Sequence, residues 1–151
     1  AKTEILRSLG CDDVIDYKSE PDFLAALRRA APEGIDVCFD NVGGDQLDAA
    51  LAVGRPHARF ALCGSIYMYN MEATRGPGHI WRAIDMQISL KGYICSDHFD
   101  MTADFYHDLG QWHADGKIRL FETVVDGIEN APSAFLGLFT GQNLGKMLVK
   151  I

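Results

Sequence analysis

The chain has 151 residues, 48% of them hydrophobic, with a net charge of −7. That size suits one domain with a real core, and the negative charge argues against a nucleic-acid partner, though not against a small anionic cofactor held locally. Cys11, Cys38, Cys63 and Cys95 are far apart and lack the paired spacing of metal ligands. Three of them lie in apolar runs, as buried thiols do. With no signal peptide and no apolar run of membrane length, the expectation is a soluble protein of a reducing, cytoplasmic compartment without a membrane partner.

Ala1 to Glu4 reads as a helical first turn already under way. It fits either a removed initiator Met or the cut end of a longer chain, and the elements that follow favour the cut. Ile5, Leu6 and Leu9 give a short apolar face that Gly10 is placed to end. Asp13 to Tyr17 reads as a brief strand. Ser19-Glu20-Pro21-Asp22 has the form of a helix start with proline in the first turn. Phe23, Leu24 and Leu27 follow as a buried face, and Pro32-Glu33-Gly34 breaks the helix. Ile35 to Phe39 is a short apolar run, too short for a helix, and reads as a buried strand. Asp40-Asn41 stops it, Gly43-Gly44 turns the chain, and a helix from Gln46 to Val53 follows. Arg59 to Gly64 is another strand ending in glycine. Repeated β-then-α alternation predicts a parallel sheet covered on both faces.

Ser65 to Gly78 is aromatic and polar together, with Arg75-Gly76-Pro77-Gly78 as a loop. A helix from His79 to Met86 and a strand from Ile88 to Cys95 come next. Met101, Phe105, Leu109 and Trp112 form a helical stripe, closed by Gly116. Ile118 to Val125 is extended, Asn130-Ala131-Pro132 starts a helix ending at Gly141, and Gly145 to Ile151 alternates as a strand. Ligands of open α/β sheets bind at the carboxyl ends of the strands. Asn41 stands at such an end, either as a helix-capping residue or as a ligand contact.

Several motifs carry a resemblance. Leu9-Gly10-Cys11-Asp12-Asp13-Val14-Ile15-Asp16-Tyr17-Lys18 is similar to the LGAD-x-VI-x-YK segment of medium-chain dehydrogenases. Phe39 to Gly44, Cys63-Gly64-Ser65-Ile66 with Tyr69-Asn70, Glu129 to Pro132, and Asn143-Leu144-Gly145-Lys146 follow in order. Together they resemble the C-terminal half of the zinc-independent branch with prostaglandin reductases and alkenal or enone double-bond reductases. The resemblance implies an NADPH-dependent reductase acting on the carbon–carbon double bond of small enones and enals. It implies a Rossmann-like doubly wound parallel sheet lacking its first βαβ unit. Residues 1–116 would be a partial dinucleotide-binding domain. Residues 117–151 would be terminal elements that rejoin a GroES-like substrate domain. No glycine-rich phosphate loop occurs in these 151 residues.

The resemblance also implies cofactor residues. Lys2 would sit near the adenosine 2′-phosphate, where an ammonium pairs with a phosphate dianion, and Tyr17 at the same end. Asn41 would touch the cofactor through its amide. Cys63, Gly64, Ser65, Ile66, Tyr67, Met68 and Tyr69 would wrap the nicotinamide half, flanked by Tyr93, Ile94 and Cys95. Asn143 matches an Asn before Leu-Gly-Lys. Tyr69 is the single catalytic nominee, as an orienting or proton-relaying phenol. Each has a plainer role open to it: a solvated lysine, an aromatic packed on the sheet edge, a core residue, a turn Asn. The five histidines are scattered, so no metal site is expected. The rival readings are a non-catalytic dinucleotide-binding module and an interaction module whose C-terminal strands pair with another chain. Uncovered strand edges predict self-association, most simply as a homodimer.

Overall fold

The computed structural model describes residues 2–69 and 76–151, in two compact units, Ala1–His98 and Phe99–Ile151. The readings at Ala1, Asn70 and Arg75 lie outside the described residues. The first unit begins with helix α1 (Lys2–Ser8), which buries no residue. Gly10, at φ +98°, ends it as expected. Its N–H donates to the Arg7 carbonyl (3.0 Å), and the Cys11 N–H to that of Leu6 (3.2 Å), a Schellman closure.

The strand expected at Asp13–Tyr17 does not form. Val14 and Ile15 lie outside any ladder, and Tyr17 to Ser19 turn, with Asp16 Oδ1 accepting from the Lys18 N–H at 3.1 Å. A strand needs a neighbour for its N–H and C=O groups, and none of the described residues pairs here. Helix α2 (Phe23–Ala30) is capped by Asp22, whose side chain accepts from the Ala25 N–H at 2.9 Å. Pro21 therefore stands ahead of the cap rather than inside the first turn.

Strand β1 (Ile35–Asp40), helix α3 (Gly44–Ala52) and strand β2 (Gly54–Leu62) form the central βαβ unit. Helix α4 (Arg82–Asp85) is shorter than the sequence predicts, and strand β3 (Ser89–Gly92) ends before Tyr93. The three strands make one parallel sheet in the order β1-β2-β3. This is the parallel α/β architecture the alternation predicts. Between the pairs Ile35↔Gly54 and Val37↔Arg59 the register shifts, and β2 takes up Pro56 and a left-handed His57 (φ 65°). The core lies under α3, where Ala50, Leu51, Ala58, Phe60 and Ile88 are buried, with Leu27 and Ile35 against them. On β1, Val37 and Phe39 remain 57% and 62% exposed. Among the described residues, that face is not covered as a doubly wound sheet would be.

In the second unit, helix α5 (Thr102–Ala114) ends at Gly116 as expected, with Lys117 N–H reaching the Trp112 carbonyl at 2.8 Å. Its stripe is not core: Phe105 and Trp112 are exposed. Strand β4 (Glu122–Asp126), helix α6 (Ala131–Thr140) and strand β5 (Lys146–Lys150) then make a second βαβ unit, with β4 and β5 parallel. Met147 and Val149 turn inward and Leu148 outward, the alternation read in the sequence. Residue 116 lies within the second compact unit, Phe99–Ile151.

Candidate functional site

The carboxyl ends of β1 and β2 carry the site. Asp40 closes β1 and is buried at 7% exposure. Its carboxylate accepts the N–H of Val42 (3.1 Å) and of Gly43 (3.0 and 3.1 Å), and its carbonyl accepts those of Cys63 (2.8 Å) and Gly64 (3.2 Å). One residue thus ties the turn after β1 to the turn after β2. A buried carboxylate is tolerated when N–H groups replace its water. Asp40 was not among the expected site residues. Its signal is an acidic residue that ends an apolar strand before Val-Gly-Gly.

Gly64 runs against Asn41: a Cβ at Gly64 would lie 2.8 Å from the Asn41 carbonyl oxygen. Tyr67 folds over Gly44, where a Cβ would meet the phenol ring at 2.5–2.8 Å. Both glycines are used for backbone approach, and Gly44 also for its φ of +58°. The cap of α3 is Gly43, with no side-chain bond, so Asn41 is not a helix cap. Its side chain is exposed and has no hydrogen-bond partner among the described residues, which leaves the amide available to a ligand.

Two clefts flank this junction. The larger, about 730 Å³, lies between the Tyr17–Leu24 segment and α3, and Tyr17, Ile66 and Tyr67 all reach it. Glu20, Asp22, Asp45 and Asp48 line it, with no Lys or Arg among the described residues. Its field opposes a phosphate. The smaller, about 330 Å³, is lined by Gly64, Ser65, Tyr67 and Met68, with Asp40 and Pro77. Cys63 sits half-buried beside it in the chain, and Tyr69 is 77% exposed on the following turn.

Tyr93 follows β3, its N–H bonded to the Leu62 carbonyl at 3.2 Å, so it stands next to Cys63 at the same sheet end. A hydrogen bond to Cys63, with desolvation and the nearby Cys63 and Cys95 thiols, pushes its phenol up to about 12. Burial, and then the Asp40 carboxylate, push the Cys38 thiol up as well. Ile94 and Cys95 are exposed. Lys2 is exposed at the start of α1. Asn143 belongs to the second unit, where its Nδ2 donates to the Gly145 carbonyl at 2.7 Å. The first unit therefore gathers Tyr17, Asn41, Cys63 to Tyr69 and Tyr93 to Cys95 about one sheet end.

A family model for zinc-binding dehydrogenases matches residues 9–149. The chain belongs to the zinc-binding dehydrogenase family. The NADP(+)-dependent 2-alkenal reductase of Nicotiana tabacum is 38% identical over 99% of the chain, and prostaglandin reductase 1 of Bos taurus 37% over 99%. The chain covers 44% and 46% of those two proteins, so it spans less than half the length of either relative. CurA of Vibrio vulnificus, solved in complex with NADPH, superposes with a TM-score of 0.87 at 37% identity, over 99% of this chain and 46% of that one.

Despite the family's description, no group of three His, Cys, Asp or Glu side chains among the described residues could hold a metal. A dinucleotide fits better, and in part. The glycine-crowded strand ends, the free Asn41 amide and the smaller cleft suit an uncharged ring and ribose. The acidic larger cleft does not suit its phosphates. Nor does the turn before α3, whose Val42 and Gly43 N–H groups are already taken by Asp40.

Proposed function

We propose that the protein containing this chain is an NADPH-dependent reductase of the carbon–carbon double bond in small α,β-unsaturated ketones and aldehydes. The observation that carries the reading is the close superposition on CurA solved with NADPH; likeness to alkenal and prostaglandin reductases supports it. Residues 1–116 would form most of the cofactor domain, and residues 117–151 would pack on a substrate domain.

The nicotinamide, when bound, supplies the hydride, so no protein nucleophile is needed. The chain's work is to place and enclose it. Asn41 and Ser65 offer an amide and a hydroxyl at the strand ends. Gly64 keeps the two turns in contact, and Tyr67 and Met68 wall the smaller cleft. Tyr69 holds a phenol toward solvent, where it can orient a ribose or pass a proton to the reduced substrate. Tyr93, Ile94 and Cys95 would flank the nicotinamide from the end of β3. Lys2, Tyr17 and Asn143 complete the proposed cofactor contacts, Lys2 by pairing with the 2′-phosphate.

The reading includes zinc independence, a cytoplasmic location and a homodimer. The homodimer is supported by exposed apolar side chains such as Phe105 and Phe135. Among the described residues no helix is long and apolar enough to cross a membrane. Enone-dependent NADPH oxidation by the full-length protein, undiminished by chelator, is the expected result. NADPH binding without turnover of any enone or enal would favour the non-catalytic module instead.

A further inference from the structure

Asp48 lies on α3, facing the turn that precedes α4. Its Oδ1 accepts the backbone N–H of His79 at 2.6 Å, and its Oδ2 meets His79 Nδ1 at 2.8 Å. A carboxylate only accepts, so Nδ1 carries the proton of that bond. Both side chains are about one-third exposed or less, 27% for Asp48 and 36% for His79. The grip is two-pronged, and Gly78 runs alongside: a Cβ there would sit 3.7–3.8 Å from the same two oxygens.

The segment so gripped is part of the site. Gly76 and Pro77, three and two residues before His79, wall the smaller cleft together with Gly64 and Ser65. Asp48 itself lines the larger cleft. Among the described residues, no other hydrogen bond joins residues 76–79 to α3 or to the strand ends. Among the described residues, this pair is the hydrogen-bonded link between that segment and α3.

We propose that Asp48 and His79 are a positioning pair that sets dinucleotide affinity by fixing the Gly76–Pro77 wall of the cleft. The proposal rests on the reductase reading given above. The two are separable by one set of measurements on the full-length protein: NADPH titration by fluorescence, and enone reduction, for wild type and variants. Asp48→Ala and His79→Ala are each expected to raise the NADPH Kd about tenfold, and the double variant no further than either single, since contacting residues couple. His79→Asn is expected to bind within about twofold of wild type, because an amide Nδ2–H can stand where Nδ1–H stood. Asp48→Leu, which keeps roughly the same shape but has no acceptor, should follow Asp48→Ala. It also serves if the alanine variant does not fold.

Variants that bind NADPH as wild type does would overturn the proposal, as would additive losses. So would a His79→Asn variant as weak as His79→Ala. A wild-type protein that neither binds NADPH nor reduces an enone would overturn the reductase reading, and this role with it. A lower melting temperature with unchanged Kd would make the pair purely structural.

Discussion

The backbone of Gly64 passes so close to Asn41 that no side chain fits between them. A Cβ at Gly64 would lie 2.8 Å from the Asn41 carbonyl oxygen and 3.4 Å from its Cα. The turn after β1 and the turn after β2 thus touch through main chain. Gly64→Ala is expected to destabilise the first unit by about 1–3 kcal/mol, the usual cost of overpacking. Gly92→Ala, at the end of β3 where a Cβ meets nothing within 4 Å, is the control and should stay within about 0.5 kcal/mol of wild type. Urea unfolding of both checks this; equal losses would show that the contact is not what the glycine protects.

Asp40 holds the turn after β1 by charge. Removing its carboxylate leaves the Val42 and Gly43 N–H groups without their acceptor. Asp40→Ala should cost about 2–4 kcal/mol, from unmade bonds to a charged group. Asp40→Asn, which keeps one acceptor oxygen, should lose less. An alanine variant as stable as the asparagine one would contradict this account.

Tyr93 contributes to stability at alkaline pH. Its phenol is raised from 10.0 to about 12 by Cys63, desolvation and Cys95. A folded pKa above the unfolded one means the folded state holds the proton more tightly. The stabilisation is fully present below pH 10 and is lost as pH rises from 10 toward 12. Tyr93→Phe should flatten that part of the stability-against-pH curve. An unchanged slope between pH 10 and 12 would remove Tyr93 as its source.

Lys2 is exposed and makes no hydrogen bond or ion pair with another described residue, so its substitution should leave stability alone. If it pairs with a 2′-phosphate, Lys2→Ala in the full-length protein should lower the NADPH-over-NADH preference about tenfold or more, the worth of a charged hydrogen bond. The ratio of kcat/KM for the two cofactors is the measurement. An unchanged ratio would assign that phosphate to other residues.

Self-association is the last expectation. Phe105 at 54% and Trp112 at 44% exposure on α5, with Phe135 and Phe139 on α6, leave large apolar side chains in water. Sedimentation of the isolated chain should show a concentration-dependent dimer. A monodisperse monomer at tens of micromolar would reject it, and Phe105→Asp should weaken any dimer that forms through α5.

The sequence by itself determined what depends on near neighbours. Apolar runs bounded by glycine placed β1 and β2, and alternation placed β5. Gly10, Gly116 and Gly141 ended their helices, because an αL residue closes the last turn wherever the helix sits. The glycine turns also marked the end of the sheet where Asn41 and Gly64 meet. Tertiary structure alone decided whatever needs a distant partner. Val14 and Ile15 have strand propensity, yet no described strand lies beside them, so no ladder forms. The stripe of α5 has a core's periodicity, but nothing within its unit covers Phe105. Asp48 and His79, 31 residues apart, carry no local signal of their pairing. Helix caps and turns are local bonds; ladders, coverage and side-chain clamps depend on which surfaces the folded chain brings together.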